Sequence, residues 1–359
     1  MSCSYGDSFH LTVFGQSHAD CIGVVIDGIP AGVTLDSDLI RAMLARRAPG
    51  AAPYATARKE ADLPEIVSGV VNGVTCGAPL CALIRNTNAH SADYDALRTL
   101  PRPSHADFAA FWKHEGYADM RGGGNFSGRM TAPLVFAGAI AMQLLRDKGV
   151  TIGAHIASVG EICDDAFDPA CLSAETLRAV QKKPFPVLNE QAGQQMQTAI
   201  AAVKADGDSI GGVVECAAVG LPVGIGSPMF GGIENEISRV VFAIPAVKGL
   251  EFGSGFAGSR RRGSENNDPF CLGEDGEIRT STNNHGGALG GLSSGMPVLF
   301  RAAFKPTPSI AKAQQTVDLQ TYAPATIAIP GRHDPCVVPR AVPCVEAACA
   351  IALINLIGT

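Results

Sequence analysis

Hydrophobic and polar positions along the chain alternate between two kinds of segment. Short runs rich in Val, Ile and Leu predict strands at Phe9 to Phe14, Ile22 to Asp27, Glu65 to Val71, Leu80 to Arg85, Gly211 to Val219 and Val298 to Phe304. Between them lie longer segments with helix end signals. Ser37 is placed to cap a helix running to about Arg47, and Thr131 to cap one from Ala132 to Lys148 that Gly149 closes. The second of these, roughly 25 Å long, is apolar nearly all round and belongs at the centre of the fold. Further helices are predicted at Ala174 to Lys183, Glu190 to Ala205, Ile233 to Ala243 and Ala341 to Ile357. Neither long apolar run reads as a membrane span: Ala132 to Leu145 is shorter than the ~20 residues a bilayer needs, and Glu346 interrupts the last helix.

One pattern occurs twice. Val25-Ile26-Asp27-Gly28-Ile29-Pro30-Ala31-Gly32-Val33 resembles Ala218-Val219-Gly220-Leu221-Pro222-Val223-Gly224-Ile225, each a strand that runs into Gly-x-Pro-x-Gly with a helix following. Two halves of related topology, joined near residues 150–205, account for it. A chance match of short turns is the alternative.

Composition narrows the class. The 359 residues suffice to bury a stable core. There are 41 glycines with no Gly-X-Y period and a normal apolar fraction, which excludes collagen and disorder and places the excess in loops. A net charge of -6 gives no global basic field of the kind a nucleic-acid binder carries. Met1 to Asp7 lacks a basic region followed by an apolar run, so no secretory signal is expected. Eleven scattered cysteines without a CxxC pair suit a reducing cytoplasm. No HxH or HExxH spacing suggests a metal, and none is expected.

The glycine loops separate into those with and without chemistry. Gly253-Ser254-Gly255-Phe256-Ala257-Gly258 satisfies GxGxxG, but Ser259 to Pro269 after it reads as a loop, so a helix N-terminus for a dinucleotide is not predicted. Three other regions set reactive side chains beside glycine. The first is Phe14-Gly15-Gln16-Ser17-His18-Ala19-Asp20. The second is Arg102-Pro103-Ser104-His105-Ala106-Asp107, followed by Arg121-Gly122-Gly123-Gly124-Asn125-Phe126-Ser127-Gly128-Arg129-Met130-Thr131. The third runs from Asn283 to Gly295 through Lys305-Pro306-Thr307-Pro308-Ser309 to Gly331-Arg332-His333-Asp334-Pro335-Cys336. Glycine lets backbone approach a flat or phosphorylated ligand. The two prolines after Lys305 lack N–H groups, so an anion there must rely on the Lys305 ammonium and the Thr307 and Ser309 hydroxyls. Gly122 to Thr131 opens the long helix, whose first turn favours an anion.

These segments, in this order along essentially the whole chain, resemble the chorismate synthase family. The resemblance implies an α+β fold over residues 1–359 as a single domain, a sandwich with helices between antiparallel sheets and pseudo-symmetric halves. It implies a lyase that performs a 1,4-anti elimination of phosphate from 5-enolpyruvylshikimate 3-phosphate, giving chorismate in aromatic amino acid biosynthesis. It also implies reduced FMN (FMNH2), with NADPH as a possible reductant, a homotetramer, and a cytoplasmic location without nucleic-acid or membrane partners. A non-catalytic flavin- or anion-binding paralogue is the alternative. The family reads Gly-Glu-Ser-His-Gly where this chain has Gly15-Gln16-Ser17-His18-Ala19; many members have Arg and Ser at Asn125 and Phe126, and an arginine near Pro53 is missing.

Residue roles follow from the resemblance. His18 protonates the departing phosphate, His105 protonates reduced flavin, and Asp334 helps remove the C6 proton through flavin N5. Histidine, with an ordinary pKa of ~6.5, suits proton donation near neutral pH. Arg47, Arg102 and Arg129 match substrate-binding positions, Arg47 being assigned to NADPH in some members. Asn125, Phe126, Ser127, Gly290, Lys305, Pro306, Thr307, Pro308, Ser309 and Arg332 match flavin contacts. His10, His90, His114 and His155 read as structural, and His285 and His333 as ligand-loop residues.

Overall fold

The computed structural model describes residues 3–49, 60, 62–87, 99–273, 276–329 and 333–359. In the first half, strands β1 (Ser4–Tyr5), β2 (His10–Gly15) and β3 (Cys21–Asp27) precede helix α1 (Ser37–Arg47). Then come β4 (Pro64–Ser68), the small hairpin β5 (Val70–Val71) and β6 (Val74–Thr75), β7 (Leu80–Arg85), α2 (Asp107–Lys113) and α3 (Thr131–Asp147). The second half has β8 (Thr151–Val159), β9 (Ile162–Cys163), α4 (Ala174–Gln181), α5 (Glu190–Ala205), β10 (Gly212–Val219), α6 (Ile233–Val241) and β11 (Val247–Phe252). Next are the one-turn helices α7 (Gly255–Gly258) and α8 (Gly263–Asn266), hairpin strands β12 (Phe270–Leu272), β13 (Ile278–Thr280), β14 (Ala288–Leu289) and β15 (Leu292–Ser293), then β16 (Val298–Phe304), β17 (Gln314–Val317), β18 (Pro324–Ile327) and α9 (Val338–Ile357).

Two five-stranded antiparallel sheets result, ordered β1-β2-β3-β7-β4 and β11-β16-β10-β8-β9. Helices α1, α3, α6 and α9 fill the space between them, α3 against the first sheet and α9 against the second. This is the α+β sandwich expected. The repeated Gly-x-Pro-x-Gly turns leave β3 and β10, and their outer glycines share one conformation: φ is +84° at Gly28, +90° at Gly32, +85° at Gly220 and +89° at Gly224. Only glycine adopts that backbone without strain.

Local chemistry explains where elements begin, and it corrects two expected caps. Asp36, not Ser37, caps α1, its carboxylate accepting from Leu39 N at 2.9 Å. Thr131 is already inside α3 and donates to the Gly128 carbonyl at 2.6 Å, continuing a 3-10 turn over Gly128–Met130. The loop expected from Ser259 to Pro269 holds the one-turn helix α8, while α7 lies inside the Gly253 to Gly258 segment, where no helix was expected; α9 begins three residues before Ala341 because Pro339 falls in its first turn, where a missing N–H costs nothing.

Helices α3 and α9 have the length and hydropathy of membrane spans, but 94% and 78% of their apolar windows are buried inside the protein. They pass so closely that a methyl built on Gly138 of α3 stands 2.2 Å from Ala347 Cβ of α9. Glu346, fully buried beside this crossing, receives Arg46 Nη1 at 2.5 Å, Arg46 Nη2 at 3.1 Å and Ala154 N at 3.0 Å, joining α1, α9 and β8. A buried carboxylate without such donors would cost several kcal/mol, roughly 3–5.

His155 is structural, as expected. On β8 it lies opposite Glu215 of β10, with Nε2 3.0 Å from Glu215 Oε2 and Nδ1 2.9 Å from Asp164 Oδ2. Two acceptors demand two donors, so the ring is an imidazolium. Burial alone lowers its pKa, but the hydrogen bonds to Asp164 and Glu215 outweigh that and raise it above 6.5.

Two outcomes follow. Gly138→Val should lower stability by about 1–3 kcal/mol through overpacking, seen as a fall in the denaturation midpoint. His155 contributes stability that is complete below pH 6.5 and lost as pH rises through its raised value. Thermal melts from pH 6 to 9 should show this decline, and His155→Gln should flatten it.

Candidate active site

A cavity of about 600 Å³ opens where the N-terminal ends of α3 and α9 meet. Its size suits a small-molecule ligand. Ser127, Gly128, Arg129 and Thr131 enter it from the start of α3, and Asp334, Val337, Arg340, Ala341 and Cys344 from the start of α9. Both positive helix ends therefore point into one space, which favours anions.

His18 sits in the turn between β2 and β3 and lines the cavity. Its turn is fixed from outside: Asn86 Nδ2 donates to the Gln16 and Ala19 carbonyls at 3.0 and 2.7 Å, while Asn86 Oδ1 accepts from Arg129 Nε at 3.0 Å. Gln16 thus holds the turn through its backbone, and its side chain is exposed. The departure from a family carboxylate leaves this hydrogen bonding intact.

His105 lies just before α2, in a tight turn closed by its own N–H to the Arg102 carbonyl at 3.2 Å. Asp107 Oδ1 stands 2.5 Å from His105 Nδ1, and the same carboxylate takes Arg102 N at 3.0 Å, Arg102 Nε at 2.7 Å and Arg102 Nη2 at 2.7 Å. Burial pushes the Asp107 carboxyl up, but the hydrogen bonds of Arg102 and His105 hold it far below the usual range. An ionised Asp107 keeps the His105 proton on Nδ1 and leaves Nε2 as the working nitrogen. Asp107 has a role that the sequence motif alone does not assign, signalled by the His-x-Asp spacing from His105.

Gly122 and Gly123 lie between the two histidines. A methyl on Gly122 would fall 2.5 Å from His18 Nε2 and 2.8 Å from Ser17 Oγ; one on Gly123 would stand 3.2 Å from His105 Nε2. Both residues, and Gly124, have positive φ. These glycines admit histidine rings, where the sequence reading gave the space to a flat ligand. The second run is also reassigned. Gly286 and Gly287 press against Gly253 and Val298, Gly291 against Ser227 and Gly232, and exposed Gly290 is not in the cavity wall.

All three expected arginines line the cavity, but each is engaged within the protein. Asp62 bridges Arg47 and Arg129 with one oxygen to each, and Glu60 lies 3.1 Å from Arg129 Nη1. Arg47 also donates to Thr131 Oγ1 at 3.0 Å and the Gly128 carbonyl at 3.1 Å. Arg102 is turned to Asp107, with only Nη1 reaching Ser309 Oγ at 3.3 Å. Asp334 pairs through Oδ2 with Arg340. Among the described residues its Oδ1 is buried without a partner, as are Ser17 Oγ, Thr307 Oγ1 and His333 Nε2. Asn125, Phe126, Ser127, Lys305, Thr307, Pro308 and Ser309 line the same cavity; Pro306 does not, and Arg332 lies outside the described residues, as do Pro53 and His90. Glu60, Arg340 and the stretch from Phe242 to Lys248 complete the lining without having been expected.

Comparison with known proteins places this geometry. The family model described as chorismate synthase matches residues 9–357. The chain belongs to the chorismate synthase family. A relative named chorismate synthase from Dehalococcoides mccartyi is 48% identical over 99% of this chain and 96% of its own length. Another so named, from Korarchaeum cryptofilum, is 44% identical over 97% of this chain and 95% of its own. A solved structure titled Crystal Structure of Chorismate Synthase superposes with a TM-score of 0.77 at 28% identity, covering 98% of this chain and 92% of that one. The chain is accordingly a lyase of the chorismate synthase family, with the family's fold.

Because Gly122 has no room for a side chain, Gly122→Ala should push the His18 ring aside. Turnover should fall by about 10²-fold or more, while the strain of alanine at a positive φ lowers the melting temperature by only a few degrees. Steady-state kinetics beside a thermal melt checks this.

Proposed function

We propose that this member of the chorismate synthase family converts 5-enolpyruvylshikimate 3-phosphate into chorismate and phosphate by 1,4-anti elimination, with reduced FMN bound. The observation that carries the reading is the convergence of His18, His105 and Asp334 on one cavity beside paired arginines. The residues present fit a flavin. Phe126, Ile244, Pro245, Ala246, Pro308 and Val337 offer apolar walls, and Thr307 Oγ1 and His333 Nε2 are buried polar atoms without a partner among the described residues. When bound, reduced flavin supplies transient electron donation that eases loss of phosphate from a poorly acidic substrate.

Each protein group has a defined task in this reading. Arg47 and Arg129 hold the anionic substrate, their forks fixed in place by Asp62. His18 gives a proton to the leaving phosphate. His105, its Nδ1 proton held by Asp107, offers Nε2 toward the cofactor. Asp334 Oδ1 accepts the C6 proton, with Arg340 holding the carboxylate in place through Oδ2. Arg102 orients Asp107 and Ser309, a different task from the substrate clamp expected of it.

The chain works as one domain in this reading, supported by a core that runs continuously through both sheets and the helices between them. A homotetramer is supported by exposed apolar side chains such as Phe230, Phe270, Leu272 and Ile278. The free thiols of all eleven cysteines suit the cytoplasm. NADPH is the proposed reductant, and its oxidation with FMN in the absence of an added reductase tests that step. No observation favours the non-catalytic alternative.

An anaerobic assay with 5-enolpyruvylshikimate 3-phosphate and chemically reduced FMN should release chorismate and phosphate in equal amounts. His18→Ala and His105→Ala should each lower kcat by about 10²- to 10⁴-fold with ligand binding largely kept. Full turnover in both variants would overturn the assigned roles.

A further inference from the structure

A second set of reactive groups lies away from the cavity. None of Asp268, His285 and Ser294 is among the residues that line it. His285 Nδ1 stands 2.5 Å from Asp268 Oδ2, and His285 Nε2 stands 2.8 Å from Ser294 Oγ. The side chains of His285 and Asp268 are buried, whereas Ser294 is half-buried and Gly295 after it is exposed.

Local structure holds each member in place. Asp268 accepts from Thr282 Oγ1 at 2.5 Å, Asn284 N at 2.8 Å and His285 N at 2.9 Å. Burial pushes its carboxyl up, but these hydrogen bonds and that of the His285 ring bring it down to about 2, so it is ionised at neutral pH. Asn283 fixes the turn that follows: its Oδ1 accepts from Gly287 N at 2.9 Å, and its Nδ2 donates to the Pro169 and Pro297 carbonyls at 2.9 and 2.8 Å. Ser294 N then donates to the Gly287 carbonyl at 3.0 Å, which brings the hydroxyl to the ring. Bonds that do not involve Ser294 Oγ therefore already close this loop.

The proton positions follow from the acceptors. An ionised Asp268 takes the Nδ1 proton, and the Nε2 lone pair is left to accept from the Ser294 hydroxyl. That is the polarity of a nucleophile beside its general base, with a carboxylate orienting the base. Met296 N donates to the same oxygen at 3.4 Å, and the Gly295 N–H has no acceptor among the described residues. An available N–H on the residue after the nucleophile is where acyl-transfer sites place an oxyanion donor.

We propose that Ser294, His285 and Asp268 form a nucleophilic acyl-transfer site, separate from the cavity, that hydrolyses small unhindered carboxylic esters. Ser294 Oγ bonds to the ester carbonyl carbon as its proton passes to His285 Nε2. The alcohol leaves with that proton when the ester C–O bond breaks. Water then attacks the acyl-serine and gives a proton to His285, and the carboxylic acid departs as Ser294 regains its proton.

Intact wild type, Ser294→Ala and His285→Gln should each be treated with a tagged fluorophosphonate, with hydrolysis of 4-nitrophenyl acetate followed in parallel. Peptide mass spectrometry should find the phosphonate on Ser294 of wild type. Labelling there should be lost in His285→Gln although the serine remains, and ester hydrolysis should fall about 10²-fold or more in both variants, the contribution of a general base and its nucleophile. The melting temperature of Ser294→Ala should stay within a few degrees of wild type, because the loop keeps its other bonds. Absence of label on Ser294 of wild type overturns the site, as does equal hydrolysis by Ser294→Ala or equal labelling of a folded His285→Gln. Wild type and Ser294→Ala decide the question even where His285→Gln does not fold, and neither result depends on the elimination reaction.

Discussion

Much of this structure depends on how closely α3 and α9 cross. Gly138 lets the backbone of one helix lie on Ala347 of the other, and no Cβ fits between them. Each helix also packs on a different sheet, so their separation sets the distance between the two halves. Both begin at the cavity. The contact in the core therefore fixes where Arg129 and Thr131 stand relative to Asp334 and Arg340, far outside the reach of any local motif. Rigidity at the crossing becomes precision at the site, because a displacement of ~1 Å between helix ends is enough to impair proton transfer.

The second constraint is electrostatic. Buried guanidiniums need hydrogen-bonding partners even without a ligand, since taking a charge out of water costs several kcal/mol. Asp62 meets that need for Arg47 and Arg129 together, and Asp107 for Arg102. An anionic ligand therefore meets forks already held in position and partly neutralised. Lys248 and Lys305 also line the cavity, and their flexible stems adapt to a ligand as a planar fork does not.

What was legible in the sequence follows from the range of the interactions. Strands such as Leu80–Arg85 and Val298–Phe304 could be read because their apolar runs are local and bounded by turns. Strand β8 could not: Gly153, His155 and Ser158 break its apolar pattern, and its stability comes from pairing with β10 and from the His155 charge network. The site divides in the same way. His18 stood out in a short segment after Gly15, and His105 in one that sets Arg, Ser, His and Asp within six residues. Glu60, Asp62 and Asn86 did not, because their meaning depends on Arg129, which is 67 residues from Asp62 and 43 from Asn86. Glycine was the least readable residue of all. The same residue type makes room for histidine rings at Gly122 and Gly123, for a helix at Gly138, and for backbone at Gly286 and Gly287.

The turns at Gly28 and Gly220 share one backbone conformation in the two halves of the chain. A Cβ at Gly28 would meet the Ser8 carbonyl, and one at Gly220 the Gly149 carbonyl, so each turn closes over a neighbouring segment in the same way. The cavity breaks that symmetry. His18, His105, Arg47, Arg102 and Arg129 come from the first half; Lys248, Lys305, His333, Asp334 and Arg340 come from the second. Histidines fixed by local turns thus share the cavity with two lysines and a buried carboxylate oxygen. Neither half alone could bring His18 and His105, the two lysines and Asp334 to one cavity.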